Sequence, residues 1–411
     1  MPDLPYRRIV AILGFVLVIL FLGWVLYALF FAAPALQNGN ALPTGTGPGG
    51  GLPTVGPGER PSGGAGGPTG LPPIGTTPTP AGVSPRATGG PTEVTPLVAS
   101  PTTAPTIGAD GQSLVYYQPN DGHFYRIRPD GTASLLSDAK FFNVEQITWS
   151  SNRNEAVLEY PDGSNIVYDF QKKSQVTLPK HWQNFSFSPD GNQLAFKSLG
   201  VDRDSRWLGV AGIDGANAQA LEPLGDNESK VTVDWSPNRQ MVGYTREATG
   251  LDQQDIFFIG LHQENFRSMS VPGIGFRGQW TPGGDQLLYS VSSSLSDYKP
   301  VLWVAGASGD SIGANRHSLG ITTWADKCAF ASTDNIICAV PQSLPTGSGL
   351  APGVADTIPD NLYQINLSTG AERLLAIPET PFSASQVVVT NDQQWVMIQD
   401  KISGRLYKIR L

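Results

Sequence analysis

NFSFSPDGNQLAFKS, residues 184–198, sets two short runs with apolar residues at every second position, Phe185–Phe187 and Leu194–Phe196, on either side of Ser188-Pro189-Asp190-Gly191. Proline fixes one turn dihedral and glycine tolerates the positive φ of a tight reversal, so the stretch predicts two antiparallel strands joined by a turn. The unit recurs as VEQITWSSNRNEAVLEY (144–160), VTVDWSPNRQMVGYT (231–245) and GFRGQWTPGGDQLLYS (275–290). Weaker copies are PTIGADGQSLVYY (105–117), KCAFASTDNIICAVP (327–341) and VVVTNDQQWVMIQD (387–400). The residues just before the turns are Ile107, Trp149, Phe187, Trp235, Trp280, Phe330 and Val389.

After each pair comes a third run, such as NIVYDF (165–170) or DIFFIGL (255–261), and a short fourth, such as QVTL (175–178) or SMSV (268–271). Four strands per repeat of about 40–50 residues describes a propeller blade. Seven anchors predict an all-β, seven-bladed propeller, with six or eight blades open at this point. The last repeat stops after three strands at Leu411. TEVTPLV (92–98), just ahead of the first repeat, is expected to supply the missing outer strand, since a ring must not leave an open edge.

The Trp/Phe-Ser-Pro-Asp-Gly-x-x-Leu-Ala-Phe pattern, clearest at Phe187–Phe196, resembles the TolB-like, WD-like propeller repeat over about residues 105–411. In that family the motif is structural, which implies that the recurring aromatics pack between blades. The family holds partner-binding proteins and propellers fused to peptidases. Neither the family's α/β domain ahead of the repeats nor a hydrolase domain after them is expected from this sequence, so neither activity is implied.

Ahead of the repeats, composition changes twice. Ile9–Ala33 carries no charge over about 25 positions, enough helix for a ~30 Å hydrocarbon core. Arg7 and Arg8 precede it, and the next basic residue is Arg60. The positive-inside rule therefore predicts a cytoplasmic N-terminus (1–8), a transmembrane helix (9–33) and an extracytoplasmic remainder at the cell membrane, with a cleaved signal peptide ending near Ala33-Pro34-Ala35 as the alternative. Residues 34–91, rich in Gly, Pro and Thr, predict a disordered tether with an r.m.s. span of roughly 40–45 Å. The propeller is assigned to 92–411. A formal GxGxxG at Gly45, Gly47 and Gly50 has neither the preceding strand nor the following helix that phosphate binding requires.

The chain has 27 basic and 35 acidic residues. Only Arg7, Arg8, Arg60, Arg86, Asp3 and Glu59 fall in the first 92, so the head is acidic, which argues against nucleic-acid binding. The four histidines fall in different repeats, and no cofactor, metal or catalytic set is expected. In the sixth repeat the turn Ala331–Asn335 sets Phe330 against Ile336 and Cys328 against Cys338, a candidate disulfide, with buried free thiols as the alternative.

Loops joining second to third strands, and each blade to the next, fall on one face, and they hold the longest insertions, including 341–360. Aromatic and arginine residues there mark a binding face. Its candidates are Phe142, His181, Trp182, Arg203, Arg206, Phe276, Arg277, Tyr298 and Phe382. The expected role is a membrane-anchored module that binds a protein, peptide or glycan of the envelope. The alternative is a lactonase- or glycosidase-like enzyme with an acidic or calcium site at the channel mouth.

Overall fold

The computed structural model describes residues 17–18, 20–22 and 82–411. The chain divides into two units, Met1–Ile74 and Gly75–Leu411. In the first, positions 17–18 and 20–22 are helical. The rest of the anchor expected at 9–33, and residues 34–81 of the tether, lie outside the described residues. Among the described residues no helix is long and apolar enough to cross a membrane.

In the second unit the described strands form seven sheets arranged as the blades of a propeller. Blade one holds Thr103–Ile107, Leu114–Gln118, His123–Ile127 and Ala133–Leu135, and blade two Gln146–Trp149, Glu155–Glu159, Asn165–Asp169 and Ser174–Leu178. Blade three holds Trp182–Phe187, Gln193–Leu199, Arg206–Gly212 and Gln219–Pro223; blade four holds Val231–Val233, Met241–Gly250, Gln253–Gly260 and Met269–Val271. Blade five holds Ile274–Trp280, Gln286–Ser292, Pro300–Gly306 and His317–Ser318. Blade six continues with Cys328–Phe330, Asn335–Pro341, Asp360–Asn366 and Glu372–Pro378, and blade seven with Ala384–Val389, Trp395–Asp400 and Leu406–Arg410. Each blade is an antiparallel meander in chain order.

Thr95–Val98 pairs antiparallel with Leu406–Arg410 and becomes the outer strand of blade seven, joining the two ends of the propeller as the sequence predicts. One pairing was not foreseen. Gly90–Thr92 lies parallel to Glu372–Pro378 as a fifth strand on blade six, so ordered pairing starts before residue 92. The segment ahead of it is tied to the C-terminus: Arg86 Nη2 donates to Leu411 O at 2.8 Å, and Ala87 N to Arg410 O at 2.8 Å. Leu411 N in turn donates to Gln394 O, within the turn of blade seven.

The repeat turn has a chemical reason for its residues. Ser188 Oγ accepts Gln193 N at 3.0 Å and donates to Asp190 Oδ1 at 2.6 Å, while Gly191 takes φ 74°. Ser236 with Asn238, and Thr390 with Asp392, make the same closure in blades four and seven. A hydroxyl followed two residues later by Asp or Asn thus locks the reversal. The turns also link blades: Asn238 Nδ2 donates to Gly284 O at 2.6 Å, and Ser151 Oγ to Ser188 O at 2.9 Å. Between blades lie apolar clusters, such as Met241, Tyr244, Phe258 and Met269 of blade four against Phe276, Trp280 and Tyr289 of blade five. Each such side chain removed from water contributes roughly 1.5–3 kcal/mol.

Candidate functional site

An antiparallel meander places second-to-third loops and blade-to-blade connections on one face of the ring, and the other connections on the opposite face. The first face carries residues 200–205, 293–299 and 342–359, the last being the longest insertion. The opposite face is not made of tight turns alone, because 261–268 and 307–316 also extend there. What separates the faces is their apolar exposure. At the tips of second-to-third loops, Val201 is 95% exposed, Leu251 89%, Leu295 96% and Ile402 66%. Phe142, in the connection from blade one to blade two, is 54% exposed.

Two of these loops are fastened together. Gly347 N donates to Asp297 O, and Gly349 N to Tyr298 O, both at 2.8 Å, so the insertion of blade six is braced by the neighbouring loop of blade five. Beside that brace, a recess of about 160 Å³ is lined by Arg277, Trp324, Asp326, Lys327, Asp356 and Lys401 of blades five to seven. Arg277 Nη1 pairs with Asp326 Oδ2 at 2.8 Å, and its guanidinium lies 5.8 Å from the centroid of Trp324. Beneath it, Lys327 Nζ is 2.7 Å from Asp360 Oδ2, with both side chains buried. Burial pushes the Asp360 carboxyl above its ordinary value, and Lys327 opposes that shift. Sequence reading missed both residues. The one available signal was a lysine immediately ahead of the apolar run Cys328–Phe330.

The expected binding residues divide into three groups. Phe142, His181 and Arg203 are exposed. Arg277 and Tyr298 sit at the recess and its brace. Trp182, Phe276 and Phe382 are corrections, because they are only 5, 1 and 4% exposed and are unavailable to a partner. Trp182 stacks on Phe196 with ring centroids 3.6 Å apart, Phe276 packs on Tyr289, and Phe382 stacks on Tyr407. A residue beside a loop in the sequence still alternates into the inter-blade core when its strand begins there. Arg206 is structural as well. It donates to Gly200 O and Gly225 O and meets Glu228 at 3.5 Å, tying two loops of blade three. Among acidic residues near the first strands, Glu145 precedes that of blade two, Asp234 follows that of blade four and Asp326 precedes that of blade six, and Asp326 is taken by Arg277.

Cys328 and Cys338 are directly opposed in the strand register and joined, with Sγ atoms 2.13 Å apart and Cα atoms 4.0 Å apart.

The ring and its uneven faces define the class: the chain is a seven-bladed β-propeller. The β-propeller domain of Cps50 (Swd1) from Myceliophteria thermophila superposes with TM-score 0.51 and 11% identity, covering 77% of this chain and 99% of that one. Kuenenia stuttgartiensis hydrazine synthase follows at 0.49 and 11%, covering 77% and 96%, and a manganese-bound oligogalacturonate lyase at 0.48 and 12%, covering 77% and 93%. At such identities the likeness concerns the fold alone. No protein-family model matches the chain, and no curated protein matches it by sequence.

Proposed function

We propose that this protein is a TolB-like recognition module, tethered to the cell membrane through residues 9–33, whose loop face binds a protein, peptide or glycan of the cell envelope. The observation that carries the reading is the set of aliphatic loop tips. Val201, Leu251, Leu295 and Ile402 stand in four different blades on one face with most of their surface in water. Apolar loop tips left exposed on one face offer contacts to a partner laid across it. The anchorage of Arg86 on Leu411, which in turn bonds to Gln394 in the blade-seven turn opposite the loop face, supports the same reading. The basic pair Arg7-Arg8 ahead of the apolar segment supports an extracytoplasmic head.

Cross-linking mass spectrometry in intact cells tests the proposal. The wild-type chain is expected to give recurrent neighbours attached through residues of the loop face. A variant with Val201, Leu251, Leu295 and Ile402 all changed to Ser should lose them while keeping its thermal melt. Unchanged neighbours in that variant would move the interface elsewhere. Digestion of the head in whole cells by added protease checks its location.

A further inference from the structure

Near the loop face, polar side chains of one blade grip the backbone of the next. Gln254 Oε1 accepts Phe276 N at 3.3 Å, Gln399 Nε2 donates to Thr102 O at 2.6 Å, and Ser290 Oγ accepts Ala325 N at 3.2 Å. Two carboxylates serve the same purpose. Asp360 Oδ2 accepts Ala384 N at 2.6 Å, and Glu159 Oε1 accepts Asn184 N at 3.0 Å. Asn184 holds φ 54° at an irregularity in the pairing of its strand, which turns its N–H toward the carboxylate. The neutral members of the set need no counter-charge. Asp360 has one, because Lys327 approaches to 2.7 Å.

Glu159 has none. The residue is 8% exposed, and Oε2 is buried without a hydrogen-bond partner. Burial raises its pKa and the like charge of Glu145 adds to that, against the opposing bond from Asn184. A buried carboxylate with an empty oxygen is costly and persists where something repays it. Glu159 opens on a cavity of about 320 Å³, shared with Glu145, Gln146, Gln183 and Asn184. Beside it, Phe142, Val144, Tyr160 and Pro161 line a recess of about 730 Å³, and Glu145, Tyr160 and Pro161 border both. The cleft therefore has an amide-lined end with Glu159 and an aromatic end that also carries Asp162, itself paired with Lys180 at 3.3 Å, and Glu145 borders both.

We propose that this blade-two cleft binds an organic cation, its ammonium or guanidinium group paired with Glu159 and Glu145 and its apolar body lying along Phe142, Tyr160 and Pro161. The ligand supplies to Glu159 what Lys327 supplies to Asp360. Divalent metal suits the place less well, since among the described residues no group of three or more His, Cys, Asp or Glu side chains could hold one. The acidic balance of the whole head favours a cationic ligand by its long-range field. The inference rests on the loop face being a recognition surface, and it names one class of ligand for it.

Isothermal titration calorimetry of the full chain in detergent, with tyramine as the probe, tests the site. Tyramine is expected to bind one per chain. Neutral 4-hydroxyphenylacetamide should bind at least about tenfold more weakly, the usual scale of one lost charge-assisted contact. Glu159→Gln keeps an acceptor for Asn184 N, so it should fold and yet lose about tenfold or more in tyramine affinity. If that variant misfolds, Phe142→Ala, a surface change, should still weaken tyramine several-fold. Equal binding of the neutral analogue, full tyramine affinity in Glu159→Gln or, failing that, Phe142→Ala, no tyramine binding at all, or saturation by calcium chloride in its place would each overturn the proposal. Envelope neighbours that persist in a chain unable to bind tyramine would leave the recognition role standing and remove only this ligand class.

Discussion

Lys327 and Asp360 form an ion pair with 2.7 Å between Nζ and Oδ2, where the aspartate side chain is fully buried and the lysine 8% exposed. The same carboxylate accepts Ala384 N, so one group holds the start of blade six against blade seven under the Arg277–Trp324 recess. Lys327→Ala leaves a buried carboxylate without its partner and is expected to cost about 3–5 kcal/mol. Lys327→Met combined with Asp360→Asn removes both charges but keeps the acceptor for Ala384, and should recover most of that loss. Urea denaturation of the variants measures both. A single Lys327→Ala that unfolds at the wild-type midpoint would show the pair to be energetically idle.

Asp234 presents the opposite situation, a carboxyl with no cation. Its side chain keeps some accessible surface, yet atoms crowd it on nearly every side, and burial pushes its pKa up to about 7. Trp280 Nε1 lies beside it without forming a hydrogen bond of good geometry. Because the folded pKa exceeds the unfolded one, the folded chain holds the extra proton between about pH 4 and 7. The stability contribution is present below that window and is lost as pH rises through it. Asp234→Asn should therefore be nearly neutral at pH 4 and stabilising at pH 8, by a few kcal/mol at most. Thermal melts of both chains across that range give the answer, and parallel curves would assign Asp234 an ordinary pKa.

The ring was legible because its signal is local and repeated. Trp149, Phe187, Trp235 and Trp280 each precede a turn whose Ser or Thr and Asp or Asn close it by their own hydrogen bonds. Cys328 faces Cys338 because pairing register follows from counting outward from one turn. The candidate site was only half legible. That loops gather on one face follows from the meander, but Trp182, Phe276 and Phe382 turned inward because their exposure depends on where each strand begins. Lys327 with Asp360, and Glu159 with Asn184, are 33 and 25 residues apart. Both depend on neighbouring blades or loops meeting in three dimensions, which one-dimensional periodicity does not encode. The fifth strand Gly90–Thr92 hid for another reason: a Gly-Pro-Thr stretch has little intrinsic preference for a strand.

Closure by the N-terminal strands has a direct consequence. Val94 is buried among Phe382, Val387 and Ile409, while Leu97 and Val98 pack on Leu114 and Leu406. Removing residues 82–98 exposes these contacts and opens the edges of Glu372–Pro378 and Leu406–Arg410. The loss of three apolar side chains alone amounts to roughly 5 kcal/mol, which for a ring of this size lowers Tm by roughly 10 °C. Differential scanning calorimetry of the shortened chain checks it, and an unchanged melt would mean that the blades hold together without this clasp.

The pair Cys328 and Cys338 connects structure with location. Ten residues separate them, and the first strands of blade six bring them into direct register. Oxidation survives where no cytosolic reductant acts, so a head outside the cytoplasm should carry the bond when isolated without reductant. Reduction should add about two mass units, the mass of two hydrogens. Closing so short a loop restricts the unfolded chain modestly, and its loss is expected to cost about 2–3 kcal/mol. Replacing both cysteines by Ala should reproduce most of that cost, with a further part from the lost packing against Ile336 and Ile365. Alkylation of both thiols in unreduced protein taken directly from cells would contradict the oxidised pair and, with it, the extracytoplasmic placement of the ring.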